Sequence, residues 1–269
     1  MIDLPEFDVD CFIEKACDFI KQKVEESNSN GVVLGLSGGI DSVVVACLAV
    51  KALGNNNVKA FVLPSSTTSD QDLFDANLIK TMLDIPVEYI LLDDLYENFL
   101  ALCDIEYLPS ENKQLAMMNV KPRLRMTFLY YFSAIYKSLV IGTGNKTELY
   151  VGYFTKYGDG GVDLLPIGDL YKQDVKKLAK KLGVPSSIID KAPTAGLKVG
   201  QTDESELGLS YEYIDRIVYM YVEKEMCDVE ISEDLDISLN DVKKIIKLIN
   251  QSEHKRLRAP ILNKDASNN

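Results

Sequence analysis

The apolar run Val32-Val33-Leu34-Gly35-Leu36 leads directly into Ser37-Gly38-Gly39-Ile40-Asp41-Ser42 and then into the apolar stretch Val43 to Leu53. A continuous apolar run of this length is the signature of a strand buried on both faces. Two glycines permit a tight turn and a close backbone approach, and the helix that follows directs its free amides into that turn. A buried strand, a glycine turn and an apolar helix in succession belong to a parallel sheet covered by helices on both sides. The turn itself is suited to an anion, with hydroxyls available from Ser37 and Ser42. A carboxylate at Asp41 would repel a phosphate held there unless a Mg²⁺ ion lay between them. A plain glycine turn with an N-capping Asp or Ser is the competing reading.

The rest of the chain repeats the alternation. Apolar residues from about 9 to 26 recur at helical spacing. Val58 to Leu63 and Val87 to Leu92 read as strands, with helices at Asp70 to Leu83 and near Asp94 to Cys103. A long helix over Met118 to Tyr136 precedes a fourth strand, Leu139 to Gly142, and a second glycine-containing loop, Thr143 to Glu148. Tyr157 to Leu165 reads as a mobile glycine-rich loop, and Asp174 to Leu182 as a helix stopped by Gly183 and Pro185. From about residue 202 the chain reads as helices joined by acidic turns. The expected fold class is α/β, a Rossmann-like parallel sheet flanked by helices on both faces. The 269 residues are expected to form a single domain.

Composition removes several chemistries. A formal charge of −12 lowers the prospect of a general nucleic-acid binder. Five scattered cysteines form no CxxC pair and read as free thiols in a reducing cytoplasm. A single histidine, His254, leaves little scope for Ser-His or Cys-His nucleophilic schemes. No apolar stretch approaches a membrane span, and the N-terminus lacks a secretory pattern. Carboxylates, lysines, backbone amides and hard cations are left to carry any catalysis.

The string Ser37 to Ser42 resembles the SGGxDS loop of the ATP pyrophosphatases, which cleave ATP between its α and β phosphates. Three further segments are similar to the NAD⁺ synthetases within that superfamily. They are Asn119 to Met126, Ile141 to Asp163, and Leu165 to Lys172 with Ala192 to Leu197 and Gly200 to Glu204. The resemblance implies an adenine nucleotide alpha hydrolase-like fold. It places ATP against Gly35, Leu36, Ser37, Gly38, Gly39, Ile40, Asp41 and Ser42, and against Thr143, Lys172 and Thr194. It assigns Mg²⁺ to Asp41 and Glu148. It assigns nicotinic acid adenine dinucleotide (deamido-NAD⁺) to Arg123, Lys156, Asp163, His254 and Lys255. Asp159 would act near the reacting amine, and Lys172 at the polyphosphate. In this family's Asn119 to Met126 motif an alanine normally stands where this chain has Pro122, which is expected in a first helical turn.

The same resemblance implies an ammonia-dependent ligase that amidates deamido-NAD⁺ with ATP, the last step of NAD⁺ formation. A homodimer and the absence of a glutaminase domain are also implied. Two rivals stay open. A tRNA-modifying ATP pyrophosphatase would call for a CxxC or a basic RNA face. A non-catalytic nucleotide-binding protein could use the same loop without needing both Asp41 and Glu148.

Overall fold

The computed structural model describes residues 2–103, 113–194, 196 and 202–262. The first helix, α1 (Val9–Glu26), buries Ile13, Ala16, Cys17, Ile20 and Val24 at three- and four-residue intervals. Its start is fixed by the Asp8 carboxylate, which accepts from the amides of Asp10 and Cys11. Then come β1 (Val32–Gly35), α2 (Ile40–Leu53), β2 (Val58–Val62), α3 (Asp70–Leu83), β3 (Val87–Tyr89), α4 (Asp93–Leu102), α5 (Lys113–Tyr136) and β4 (Leu139–Val140). The remaining helices are α6 (Lys146–Val151), α7 (Lys172–Lys181), α8 (Ser186–Ile189), α9 (Asp203–Leu207), α10 (Tyr211–Val218), α11 (Asp228–Leu235), α12 (Leu239–Gln251) and α13 (Glu253–Arg256).

The strands form one parallel sheet in the order β3-β2-β1-β4. Successive residues of β1 face opposite layers, as strand geometry requires. Val32 and Leu34 join the core that includes α1, α2 and α7, whereas Val33 joins Phe61, Met126, Leu129 and Val140 under α5. Phe61 and Phe132 stack there at 4.3 Å between ring centroids. A third core gathers residues of α9 to α12 with Val151 and Tyr171. The helical C-terminal part therefore has its own apolar centre.

Two expectations about elements are corrected. Helix α2 begins at Ile40, with Gly39 at its N-cap, so Asp41 and Ser42 lie in the first helical turn and not in a loop. Pro122 lies well inside α5 and not in its first turn. The residues ahead of it, Lys113-Gln114-Leu115-Ala116-Met117, are all strong helix formers and carry the helix N-terminal of the motif. Proline lacks the amide that would bond back to Met118, so the helix loses one rung there.

Helix α7 has no cap from its own N-cap residue, Tyr171. The cap comes from α10. Asp215, fully buried, accepts from the amide of Gln173 at 2.9 Å, from the amide of Lys172 at 3.4 Å and from the Thr147 hydroxyl at 2.5 Å. Burial pushes its carboxyl up to about 6, against the pull of these donors. An acid whose folded value is raised binds its proton more tightly folded than unfolded. Its contribution to stability is therefore fullest below the unfolded value and is lost as pH rises through the folded one. Comparing Asp215→Asn with the parent by urea unfolding isolates this group. The parent's advantage over the variant should be about 2 kcal/mol larger near pH 4.5 than near pH 7, and a pH-independent difference would refute the assignment.

Candidate active site

The chain builds β1, β2 and β3 outward in one direction, then crosses to β4 on the other side of β1. The connections leaving β1 and β4 therefore diverge, and a crevice opens at the carboxyl ends of those two strands. A cavity of ≈570 Å³ occupies that position. Its wall includes Gly35, Leu36, Ser37, Gly39, Ile40, Asp41 and Ser42 from the first crossing, and Thr143 and Glu148 from the second. Lys172, Asp159, Thr194 and Lys255 also face it.

The glycine turn is held by its own hydroxyls. Ser42 Oγ donates to the Gly39 carbonyl at 2.9 Å, and the Gly39 amide donates to Ser37 Oγ at 3.2 Å. Gly38 has φ +77°, and a Cβ there would lie 2.4 Å from the Asp72 carbonyl oxygen. Both facts exclude a side chain at that position. Gly38 does not itself line the cavity.

Helices α2, α6 and α7 bring one charged group each to the cavity floor. The Lys172 ammonium, only 2% exposed, lies 2.5 Å from Asp41 Oδ2 and 3.0 Å from Glu148 Oε1. This excludes a solvated helix-start lysine. Asn145 Nδ2 also donates to Asp41 at 2.9 Å, and Asn145 forms a capping box with Glu148 at the start of α6. Burial alone would lower the Lys172 pKa, but the two carboxylates outweigh it and hold the group protonated. Burial pushes the Glu148 carboxyl up, with Lys172 opposing and Asp41 adding to the rise.

Two half-buried carboxylates at one edge of a cavity are hard oxygen donors. Mg²⁺ is usually bound by one or two such acids plus substrate phosphates, not by an all-protein cage. Among the described residues no cluster of three or more ligating side chains is present. Asp41 and Glu148 therefore fit the ion.

Asp159 is exposed towards the cavity, with the protein mass of its loop on the other side. Burial pushes its carboxyl up, while the Thr155 amide (3.0 Å) and the charges of Arg125 and Lys255 pull it down. A second, more open hollow of ≈760 Å³ adjoins the first and shares Met126, Gly160, Val162 and Lys255 with it. Arg123 and Lys156 line this second hollow, joined by Arg256 and Arg258. Arg123 Nε donates to the Lys156 carbonyl, and Lys156 Nζ donates to the His254 carbonyl. Two expected dinucleotide residues stand apart. The His254 side chain is exposed and lines neither hollow. Asp163 also lines neither, because its carboxylate accepts from the Tyr130 hydroxyl at 2.9 Å and the Val140 amide at 2.7 Å. It ties the glycine-rich segment to β4. Ala195, Leu197, Gly200 and Gln201 of the motif lie outside the described residues.

Three cavity residues carry no role that the sequence alone suggests. Arg125 Nε donates to the Leu63 carbonyl at 2.9 Å and places its buried charge beside Asp159. Lys191 binds the glycine turn from outside. Asp203, 3% exposed, accepts from the Tyr211 hydroxyl. None belongs to a spacing pattern of its own; Lys191 and Asp203 are single residues beside or within longer motifs.

A phosphate-suited turn at a topological switch point, with paired acids beside it, defines an α/β nucleotide-binding protein of the adenine nucleotide alpha hydrolase-like kind. Comparison with known proteins narrows the class. The family model for NAD synthase matches residues 12–259, and the chain belongs to that family. It is 46% identical over 249 residues to the NH(3)-dependent NAD(+) synthetase of Methanocaldococcus jannaschii, covering 92% of this chain and 95% of that one. The corresponding protein of Archaeoglobus fulgidus is 44% identical, covering 93% and 95%. Among solved structures, an NMN synthetase from Francisella tularensis superposes with a TM-score of 0.84 at 38% identity, covering 96% of this chain and all of that one. The NH3-dependent NAD synthetase from Campylobacter jejuni gives 0.79 at 32% identity with the same coverage.

Replacing Lys172 by Met should leave Asp41 and Glu148 facing each other without a cation, a loss of roughly 3–5 kcal/mol for a buried pair broken on one side. Melting scans with and without Mg²⁺ test this. The ion should raise the melting temperature of Lys172→Met more than that of the parent, because it replaces the missing charge; an equal rise in both would count against the two-acid site.

Proposed function

We propose that this chain converts deamido-NAD⁺ to NAD⁺, using ATP to activate the nicotinate carboxylate and ammonia as the nitrogen donor. The observation that carries the reading is the buried Lys172 between Asp41 and Glu148, set at the end of a phosphate-suited turn. A carboxylate does not condense with ammonia unaided, because hydroxide is a poor leaving group. Attack of the carboxylate oxygen on the α-phosphate forms a P–O bond and releases pyrophosphate. Ammonia then adds to the acyl carbon, the C–O bond to AMP breaks, and a proton leaves the nitrogen.

The residues divide this work by charge. The turn from Ser37 to Ser42, with Thr143, Thr194 and Lys172, takes the ATP phosphates. Asp41 and Glu148 would hold Mg²⁺, which when bound would supply positive charge for the phosphate oxygens. Arg123, Lys156 and Lys255 face the second hollow, where the dinucleotide phosphates bind. His254 and Asp163 reach it only if the substrate or the chain ends move towards them. Asp159, on the wall of the first hollow, accepts the amine proton. Residues 1–269 act as one synthetase domain in a reducing cytoplasm, consistent with five free thiols.

Purified protein with ATP, Mg²⁺, deamido-NAD⁺ and an ammonium salt should release AMP and NAD⁺ together. A parallel tube containing nicotinic acid mononucleotide tests the smaller substrate suggested by the Francisella relative's name. A glutamine-only tube should stay silent. Faster turnover of the mononucleotide would reassign the substrate, and no AMP from folded protein in any tube would sink the ligase reading.

The same reading includes a homodimer. Leu95 and Phe99 on α4, with Tyr131 and Ile135 on α5, leave large apolar surface exposed. Light scattering should give twice the chain mass, and Ile135→Asp with Tyr131→Asp should give monomers. A monomeric parent at micromolar concentration would refute the dimer.

A further inference from the structure

We propose that Lys191 is a positioning residue of the phosphate turn, fixing the peptide between Gly38 and Gly39 and so setting where the turn's amides point. This rests on the ligase reading above. Lys191 lies 153 residues beyond Gly38 in the chain, yet its ammonium donates to the Gly38 carbonyl oxygen at 2.8 Å. Its other two protons go to Asp72 Oδ1 at 2.9 Å and Asp75 Oδ2 at 2.6 Å. All three donors of the ammonium are thereby used.

The two acids are themselves held. Asp75 is wholly buried, and its second oxygen accepts from Gln71 Nε2 at 2.9 Å. The second oxygen of Asp72 accepts from the Ser69 hydroxyl at 2.6 Å, at the N-cap of α3. Lys191 is therefore anchored on a rigid helix start and braces the turn from there.

A trans peptide directs its carbonyl and its amide to opposite sides. With the Gly38 carbonyl held by Lys191, the Gly39 amide must face the other way, where it meets Ser37 Oγ on the cavity wall. The turn cannot be braced by a side chain of its own at Gly38, because there is no room for one. Lys191 also screens the charges of Asp72 and Asp75 from the polyphosphate site. None of Lys191, Asp72 and Asp75 lines the second hollow, so their effect should be confined to ATP and pyrophosphate.

Lys191→Met and Lys191→Arg are to be assayed beside the parent, with calorimetric titration of inorganic pyrophosphate. Lys191→Met should raise the KM for ATP by roughly tenfold or more and weaken pyrophosphate binding in step, as expected for a lost charged hydrogen bond. The KM for deamido-NAD⁺ should stay unchanged, and Lys191→Arg should recover part of the ATP affinity. Should Lys191→Met fail to fold, Lys191→Gln, which keeps a donor but drops the charge, carries the same expectation. Equal changes in both KM values, or a fall in kcat with ATP affinity intact, would overturn the proposal. A parent that binds pyrophosphate but makes no NAD⁺ would instead defeat the ligase reading, and the calorimetry would still decide the role of Lys191.

Discussion

An ammonium group sealed from water between two carboxylates sets the terms for the rest of this structure. Taking the ammonium out of water, and its two half-exposed partners partly so, costs several kcal/mol, and good geometry must recover that loss. The recovery depends on three helices arriving together. Asp41 comes from the first turn of α2, Glu148 from the first turn of α6 and Lys172 from the first position of α7. The dipoles of α2 and α6 favour the acids at their starts, whereas that of α7 disfavours a cation at its start. Lys172 is thus held against its own helix, by the acids and by the nearby Tyr211 ring at 5.1 Å. Asp215 compensates from α10 by capping α7 with a negative charge. A buried ion cluster is weak evidence for stability, so its retention argues for work on a ligand.

The sheet order explains why this cluster faces a cavity and not a packed core. The connections after β1 and β4 run away from each other, and neither can fill the space between them. The segment from Gly152 to Leu165 closes one side, pinned to β4 through Asp163. Lys255 closes another, donating to the carbonyls of Gly152 and Phe154 from the chain's far end. The C-terminal helices thus contribute directly to the site, although their apolar centre is separate from that of the sheet.

The elements of the sheet and the phosphate turn were legible because their signals are local. The run Val32 to Leu36 can hardly be other than a buried strand, and a glycine pair after it has few uses. Glu148 completes the capping box at the start of α6 and also faces the cavity, and only the first of these follows from local spacing. Pro122 was misplaced because a motif's register says nothing about where its helix starts, and the helix formers ahead of it settle that. Arg125, Lys191 and Asp203 were not legible as cavity residues. Their partners lie 62, 153 and 8 residues away respectively, and the longer separations follow no periodicity. The side-chain directions of His254 and Asp163 were equally hidden, since a shared motif fixes which residue is present but not which way it faces.

The distribution of charge resolves an apparent conflict between a chain of net charge −12 and two anionic substrates. The second hollow is lined by bases without acids, whereas the first holds both signs. Asp41, Glu148 and Asp203 share the first with Arg125, Lys172 and Lys191. Arg123, Lys156, Arg256 and Arg258 lie in the second, where a phosphate would meet only positive side chains. Lys255 stands at the shared wall, and Asp159 lines the first hollow within reach of its field. The lining thus turns wholly basic beyond that shared wall, a local arrangement on which net charge has no bearing.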